Sequence, residues 1–203
     1  MIIIALANPQ IVSIGVEKGI NLAIVLDGSE SMAATDYTPT RLEAAKNGVT
    51  TLVTQISEKN NIGVVLFETG AGTISYLTPV KEKTLNSISS IKQGNGATAI
   101  GDGLSLGIDM VSSILDKKRV IVLLSDGIQN SGLVLPEQAI QYAINNNVQI
   151  HTIGIGSENP VYLRDDIYVL ATVGSVTFKR YTAMWGKPKE EFLSDDGAKK
   201  HVG

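Results

Sequence analysis

The residues best suited to chemistry directly follow a short apolar run near the start of the chain. The segment Asp27-Gly28-Ser29-Glu30-Ser31 carries an oxygen-bearing side chain at every second position. A tight loop with this spacing can point Asp27, Ser29 and Ser31 toward one point. Hard cations such as Mg²⁺ prefer oxygen ligands at about 2.1 Å in near-octahedral geometry and keep some of their waters. The segment is therefore a candidate site for a divalent cation.

Two later segments supply matching oxygens. Thr98 follows the glycine-rich stretch Gly94-Asn95-Gly96, and Asp126 follows an apolar run that begins at Val120. A lone Asp-x-Ser-x-Ser after a strand is often only a helix N-cap or a turn. Two carboxylates meeting at one pole, however, would repel each other and raise each other's pKa. A bound cation resolves that conflict, so the three segments together favour a metal site.

These residues need a scaffold that brings distant loops together, and the apolar pattern predicts one. Continuous apolar runs predict buried strands, and an alternating run after a glycine-rich turn predicts an antiparallel edge strand. Apolar residues at helical spacing predict the helices between them. The predicted strands are 21–26, 62–67, 73–77 (the edge strand), 120–124, 148–155 and 176–181, and the predicted helices are 41–56, 80–91, 99–115, 136–147 and 162–173.

This alternation predicts an α/β fold with a doubly wound, mostly parallel central sheet, one antiparallel edge strand and helices on both faces. In such open sheets, ligands bind beyond the carboxyl ends of the strands. Asp27 and Asp126 each end a predicted strand, and Thr98 starts a predicted helix. The fold therefore predicts that the candidate residues meet at one edge of the sheet.

The set Asp27-Gly28-Ser29-Glu30-Ser31, Gly96-Ala97-Thr98 and Ser125-Asp126-Gly127 resembles the metal-ion-dependent adhesion site of von Willebrand factor A-type (VWA) domains. The order of strands and helices is similar to that family from about Gly19 to Tyr181. Ala97 departs from the family's usual paired glycines before the threonine. The resemblance implies that five residues bind the metal directly or through water: Asp27, Ser29, Ser31, Thr98 and Asp126.

The same resemblance implies a function. A Mg²⁺ ion, or Mn²⁺ or Ca²⁺ in its place, would bind the Asp or Glu carboxylate of a protein partner, with Met32, Thr69 and Gln129 selecting which partner fits. Such a module is not an enzyme. The alternatives are a metal-dependent hydrolase or a structural VWA domain with an empty site. The hydrolase alternative lacks a general base, because no His, Lys or Tyr occurs in the three loops. Asp102 is expected to cap a helix start or to orient a ligand.

Two stretches, Leu6 to Gln10 leading into Gly19-Ile20-Asn21-Leu22 and Gly96 to Gly103, are similar to bacterial Bat-type (aerotolerance) membrane VWA proteins. Val173-Gly174-Ser175 departs from that pattern. Residues 1–7 are apolar but too few to span a bilayer. They are either the end of a membrane helix, or a short strand or loose chain end. We expect an N-terminal segment at 1–18, a VWA domain at 19–182 and a polar tail at 183–203.

Composition excludes several other classes of protein. The chain has no cysteine and only two histidines, His151 and His201, so disulfides are excluded and a zinc site is not indicated. The formal net charge of −3, with acids and bases interspersed, does not indicate a nucleic-acid partner. The Bat resemblance implies a membrane-tethered protein whose domain lies outside the cytoplasm. A cytoplasmic location is the alternative.

Overall fold

The computed structural model describes residues 18–127, 129–156, 161–164 and 167–169. Five strands form one sheet: β1 (Ile20–Asp27), β2 (Asn61–Phe67), β3 (Ala71–Thr78), β4 (Lys118–Ser125) and β5 (Val148–Gly154). Four helices are described: α1 (Arg41–Gln55), α2 (Lys81–Ser89), α3 (Ile100–Ser112) and α4 (Pro136–Asn145). A short 3-10 helix, Glu30–Ala33, follows β1. No helix among the described residues is both long and apolar enough to cross a bilayer.

The sheet has the strand order β3-β2-β1-β4-β5, with β1 in the centre. β1 pairs in parallel with both β2 and β4, and β4 pairs in parallel with β5. The edge strand β3 pairs with β2 in antiparallel register. This confirms the predicted doubly wound sheet with one antiparallel edge. Because four strands run the same way, their carboxyl ends lie at one pole, and the candidate residues lie there.

The central strand β1 explains why its sequence is almost continuously apolar. Alternate side chains of a strand point to opposite faces of the sheet. Leu22, Ile24 and Leu26 pack into the core on the side of α1 and α2, whereas Ala23 and Val25 pack against α3 and β4. Because β1 is buried on both faces, its residues from Leu22 to Leu26 are all apolar. The one polar residue before Asp27 is Asn21, whose side chain is hydrogen-bonded to Val111, Ile114 and Asn61.

One predicted element is wrong within the described residues. The expected helix over 162–173 is instead an antiparallel pair of strands, β6 (Val161–Arg164) and β7 (Ile167–Val169). The local sequences Val-Tyr-Leu and Ile-Tyr-Val are rich in β-branched and aromatic residues, which favour strands, and Asp165-Asp166 lies between them as a turn signal. The rest of that helix and the strand predicted over 176–181 lie outside the described residues.

Candidate metal centre

The loop after β1 brings three of the predicted residues together. Asp27 is the last residue of β1 and its side chain is fully buried. Its Oδ1 accepts a hydrogen bond from the backbone N–H of Ser29 at 2.9 Å, which turns the chain sharply. Ser29 lies next to the 3-10 helix but makes no side-chain cap. Its hydroxyl instead lies 3.1 Å from the hydroxyl of Ser31. The two serines therefore face each other rather than serving as caps.

The loop after β4 reaches the same cluster. Asp126 is buried, and its Oδ1 accepts a hydrogen bond from the Ser31 hydroxyl at 2.7 Å. Ser125 donates from its hydroxyl to Oδ2 of Asp27 at 2.5 Å. Residues nearly 100 positions apart in sequence are thus joined side chain to side chain, as expected for the carboxyl ends of neighbouring parallel strands.

Thr98 lies at the same pole, just before α3, and is buried. Its backbone N–H donates to Oδ1 of Asn130 at 2.7 Å, and its carbonyl accepts from the N–H of Asn130 at 3.0 Å. The glycine-rich loop before it is joined to the first loop, because the N–H of Glu30 donates to the carbonyl of Gly96. The structure thus fixes the backbone of Thr98 beside the cluster, and Asn130 is a positioning residue that the sequence did not reveal.

Close packing requires one of the two glycines before Thr98. A Cβ placed on Gly96 would lie 2.7 Å from the Cβ of Glu68, an atom that cannot move aside without the backbone. A Cβ on Gly94 would lie 2.2 Å from Oε1 of Glu68, at the end of a flexible side chain. The glycine-rich stretch is therefore a loop pressed against the end of β2. It is not a phosphate-binding turn between a strand and a helix.

A buried arginine that the sequence analysis did not predict neutralises one side of the site. Arg41 is the first residue of α1 and is fully buried. Its Nη1 donates to Oδ2 of Asp126 at 2.7 Å, and its Nε and Nη2 each donate to the carboxylate of Asp36 at 2.8 Å. A cation in the first turn of a helix opposes the helix dipole. That unfavourable position was the available signal that Arg41 serves another purpose.

The two aspartates differ in what compensates their charge. Burial raises the pKa of Asp27 to about 6, against hydrogen bonds from Ser125 and Ser29 that lower it, and the nearby Asp126 adds only a small further increase. Burial also disfavours the charge on Arg41, but its hydrogen bonds to Asp36 and Asp126 outweigh burial and raise the pKa of Arg41. Mutual repulsion of the aspartates is thus not the main effect that the sequence suggested. Among the described residues, Asp126 pairs with a cation, Arg41, whereas Asp27 pairs with none.

The residues expected to select a partner or to support the site differ in where the structure places them. Met32 is fully buried, so it cannot contact a partner, whereas Thr69 is exposed. Gln129 is half-buried and its amide links the N–H of Gly101 to the carbonyl of Val134. Asp102 accepts hydrogen bonds from the N–H groups of Leu133 and Val134. The carboxylate of Asp102 thus anchors the loop after β4.

The oxygen geometry can be compared with what a cation needs. For metal–oxygen distances of about 2.1 Å, neighbouring ligands of an octahedron lie about 3.0 Å apart, whereas Ca²⁺ requires roughly 3.3–3.7 Å. The hydroxyls of Ser29 and Ser31 lie 3.1 Å apart, and Ser31 lies 2.7 Å from Asp126. Among the described residues, no group of three or more His, Cys, Asp or Glu side chains could hold a metal. A cation at this pole would therefore depend on the hydroxyls.

Comparison with known proteins identifies the family. Residues 22–129, just over half of the chain, match the family model for the von Willebrand factor type A domain. An uncharacterized protein of Borreliella burgdorferi is 35% identical over 164 residues, which cover 77% of this chain and 48% of that protein. The chain spans half or less of the length of the curated relatives that it matches.

Similar solved structures agree with the family match. A conserved hypothetical protein BatB from Bacteroides thetaiotaomicron superposes with a TM-score of 0.66 at 26% identity, covering 80% of each chain. An aerotolerance-related membrane protein from Bacteroides fragilis gives 0.64 at 25% identity, over 80% of this chain and 82% of that one. Proximal thread matrix protein 1 from the mussel byssus, with a zinc-occupied MIDAS motif, gives 0.62 at 25% identity, over 70% of this chain and 39% of that one. The sheet order, the loops at its carboxyl edge and these matches lead to one conclusion: the chain belongs to the von Willebrand factor type A domain family.

Proposed function

We propose that this domain binds a divalent cation, Mg²⁺ in the first instance, and uses it to hold a carboxylate of a protein partner without catalysing a reaction. The observation that carries the proposal is the cluster of Ser29, Ser31 and Asp126 oxygens at octahedral spacing beside the buried Asp27. An ionised carboxylate inside a protein is unfavourable unless a cation compensates it. A cation at this point would relieve Asp27 at neutral pH.

The charges in the cluster favour an incoming anion. Ser29, Ser31 and Thr98 are neutral ligands, and Arg41 already occupies Oδ2 of Asp126. Asp126 is then left with Oδ1 for the cation, and because Arg41 already offsets the charge of Asp126, Asp27 is the carboxylate whose charge the divalent cation would balance. A partner's Asp or Glu carboxylate that replaced a water ligand would form a strong charge-assisted bond in a partly shielded site. The zinc-occupied MIDAS motif (metal-ion-dependent adhesion site) of the similar mussel protein supports the proposal that a divalent cation binds here.

An exposed apolar side chain, that of Leu133, lies on a loop beside the proposed cation site. Leu133 is 96% exposed, on a loop that Asp102 anchors and whose Ser131 donates its N–H to the carbonyl of Thr98. Binding energy at interfaces comes from a few well-packed anchors, and a carboxylate alone carries little shape information. Leu133 and Thr69, rather than the buried Met32, would then help to select the partner.

Calorimetry on chelator-stripped protein tests the cation. Mg²⁺ should bind one site per chain, and Ser29→Ala/Ser31→Ala should abolish that binding. Ser87→Ala/Ser89→Ala is the matched control, because both hydroxyls only bond to carbonyls of their own helix. Equal Mg²⁺ binding by the two double variants would overturn the site assignment.

Selection from a random peptide library on Mg²⁺-loaded protein tests the partner chemistry. Selected peptides should be rich in Asp or Glu, should be released by chelator, and should lose binding when one acidic residue is changed to its amide. Leu133→Ser should weaken peptide binding while leaving Mg²⁺ binding unchanged. Peptides that persist in excess chelator would refute the carboxylate–metal mechanism. We also propose that the parent protein is tethered to a membrane with this domain outside the cytoplasm. The similarity to an aerotolerance-related membrane protein supports the tether, which fractionation of cells expressing the full gene would test.

A further inference from the structure

The pole opposite the candidate metal centre has an unusual charge. A depression of about 870 Å³ lies where β1 and β4 begin, and its lining includes five cationic side chains and the carboxylate of Asp116. Its local net charge is therefore +4, in a chain whose formal net charge is −3. The cations, called here the basic pole, are Lys18, Lys59, Lys117, Lys118 and Arg119.

Backbone contacts hold these cations together. The Nζ of Lys117 donates to the carbonyl of Lys59 at 2.6 Å, and the guanidinium of Arg119 donates to the carbonyl of Asn146 at 2.7 Å. Lys18, Lys59 and Lys118 are exposed. Three separate segments, at the starts of β1 and β4 and before β2, thus place positive charge on one surface, although the acids and bases of the sequence are interspersed.

Exposed apolar side chains adjoin the basic pole. Ile114 is 38% exposed and Leu115 is 69% exposed, directly before Asp116 and the cations that follow it. The carbonyl of Ile114 accepts a hydrogen bond from the side chain of Asn21, which fixes this turn at the start of β1. Basic side chains beside exposed apolar ones suit a membrane surface, where the cations meet anionic headgroups and the apolar groups enter the interface.

The point at which the chain enters the described domain also favours a membrane at the basic pole. Lys18, the first described residue, lies at the basic pole. Ten residues separate it from the apolar run at 1–7, a span of at most about 35 Å. The described domain therefore joins the preceding residues at the basic pole, at the end of β1 opposite Asp27 and the metal pole.

We infer that the basic pole, with Leu115, docks on an anionic membrane surface and so turns the metal pole away from the bilayer. This inference does not depend on the proposed metal or partner. Charge alone would also attract nucleic acid or a small anion, but neither would use Leu115. A phospholipid bilayer is the occupant that accounts for both features.

Vesicle sedimentation with the 203-residue chain tests this. Binding to phosphatidylcholine vesicles containing roughly one-third phosphatidylglycerol should exceed binding to pure phosphatidylcholine, and should fall as NaCl shortens the Debye length below about 10 Å. Lys59→Gln/Lys118→Gln should weaken binding about 30-fold, since each surface lysine contributes roughly fivefold. Leu115→Ser should weaken binding about fivefold.

The control is Lys83→Gln/Lys92→Gln, which makes the same charge change at exposed residues outside the basic pole. It should bind within about twofold of the unaltered chain. Equal loss in both double variants, or equal binding to both kinds of vesicle, would overturn the inference. Unchanged binding by Lys59→Gln/Lys118→Gln would assign binding to the apolar run instead. Inorganic phosphate should displace no more protein than NaCl at equal ionic strength, and stronger displacement would indicate a small-anion site and also overturn it.

Discussion

The two aspartates of the candidate centre occupy contrasting surroundings although their side chains are about equally buried. Asp126 shares the guanidinium of Arg41 with Asp36, so its charge is compensated within the protein. Asp27 is held by the N–H of Ser29 and the hydroxyl of Ser125. Hydrogen bonds orient a carboxylate but compensate its charge less than a cation does. A cation of the protein therefore compensates Asp126, whereas Asp27 has hydrogen bonds but no such cation among the described residues.

Of the changes that test this contrast, removing Arg41 should have the largest effect on the free energy of unfolding. Arg41→Met leaves Asp36 and Asp126 without a cation and should lower the free energy of unfolding of the metal-free protein by about 3–5 kcal/mol. Thermal unfolding should show a decrease in Tm of roughly 6–20 °C. Lys46→Met, which breaks the pair with the more exposed Glu43, is the comparison and should cost about 1 kcal/mol or less. Similar losses in the two variants would contradict a special role for the buried pair.

Neutralising Asp27 should change the free energy of unfolding in the opposite direction, so that the protein becomes more stable. Its folded pKa of about 6 lies above the ordinary 3.8, so the folded protein binds more protons than the unfolded chain between these values. The contribution of Asp27 to the stability of the metal-free protein is therefore greatest below about pH 4 and falls, by up to about 3 kcal/mol, as the pH rises through about 6.

Asp27→Asn removes that loss and, near neutral pH, should be about 2–3 kcal/mol more stable than the unaltered chain without metal. Denaturant unfolding in chelator at pH 4 and near neutral pH measures the difference. Asp126→Asn is the contrasting variant, because it weakens the pair with Arg41 and should destabilise the protein near neutral pH. If both variants shifted stability in the same direction, the contrast between the aspartates would be wrong.

The smallest effect is expected at a third carboxylate near the same pole. Asp102 is compensated by backbone N–H groups of Leu133 and Val134, without a cation and without full burial. Asp102→Asn should therefore lower the free energy of unfolding by about 1 kcal/mol through weaker hydrogen bonds. Asp109→Asn, at an exposed acceptor of the Tyr142 hydroxyl, should leave the unfolding curve unchanged. A loss at Asp102 as large as at Arg41 would mean that the loop after β4, rather than charge compensation, controls stability here.

The sequence alone determined most of the fold and the composition of the centre. Strands buried on both faces must be apolar along their length, so β1, β2 and β4 were recognisable, and the first polar residue after each marks the edge where ligands bind. Asp27 and Asp126 could be named for that reason, Ser29 and Ser31 from their alternate spacing after Asp27, and Thr98 from its place after the glycine-rich stretch together with the resemblance to VWA domains. Periodicity did not separate a helix from a strand pair over 161–169, because a short apolar run fits both patterns.

Only the tertiary structure decided how the charges are balanced. Arg41 is far from Asp126 in sequence, and nothing in the spacing shows that α1 begins against the loop after β4. The basic pole likewise arises from three segments of the chain whose cations are separated in sequence by acids. Local pattern determines which residues are buried and where strands end, since both depend on neighbours along the chain. Charge compensation depends on distances between segments that only the packed sheet fixes.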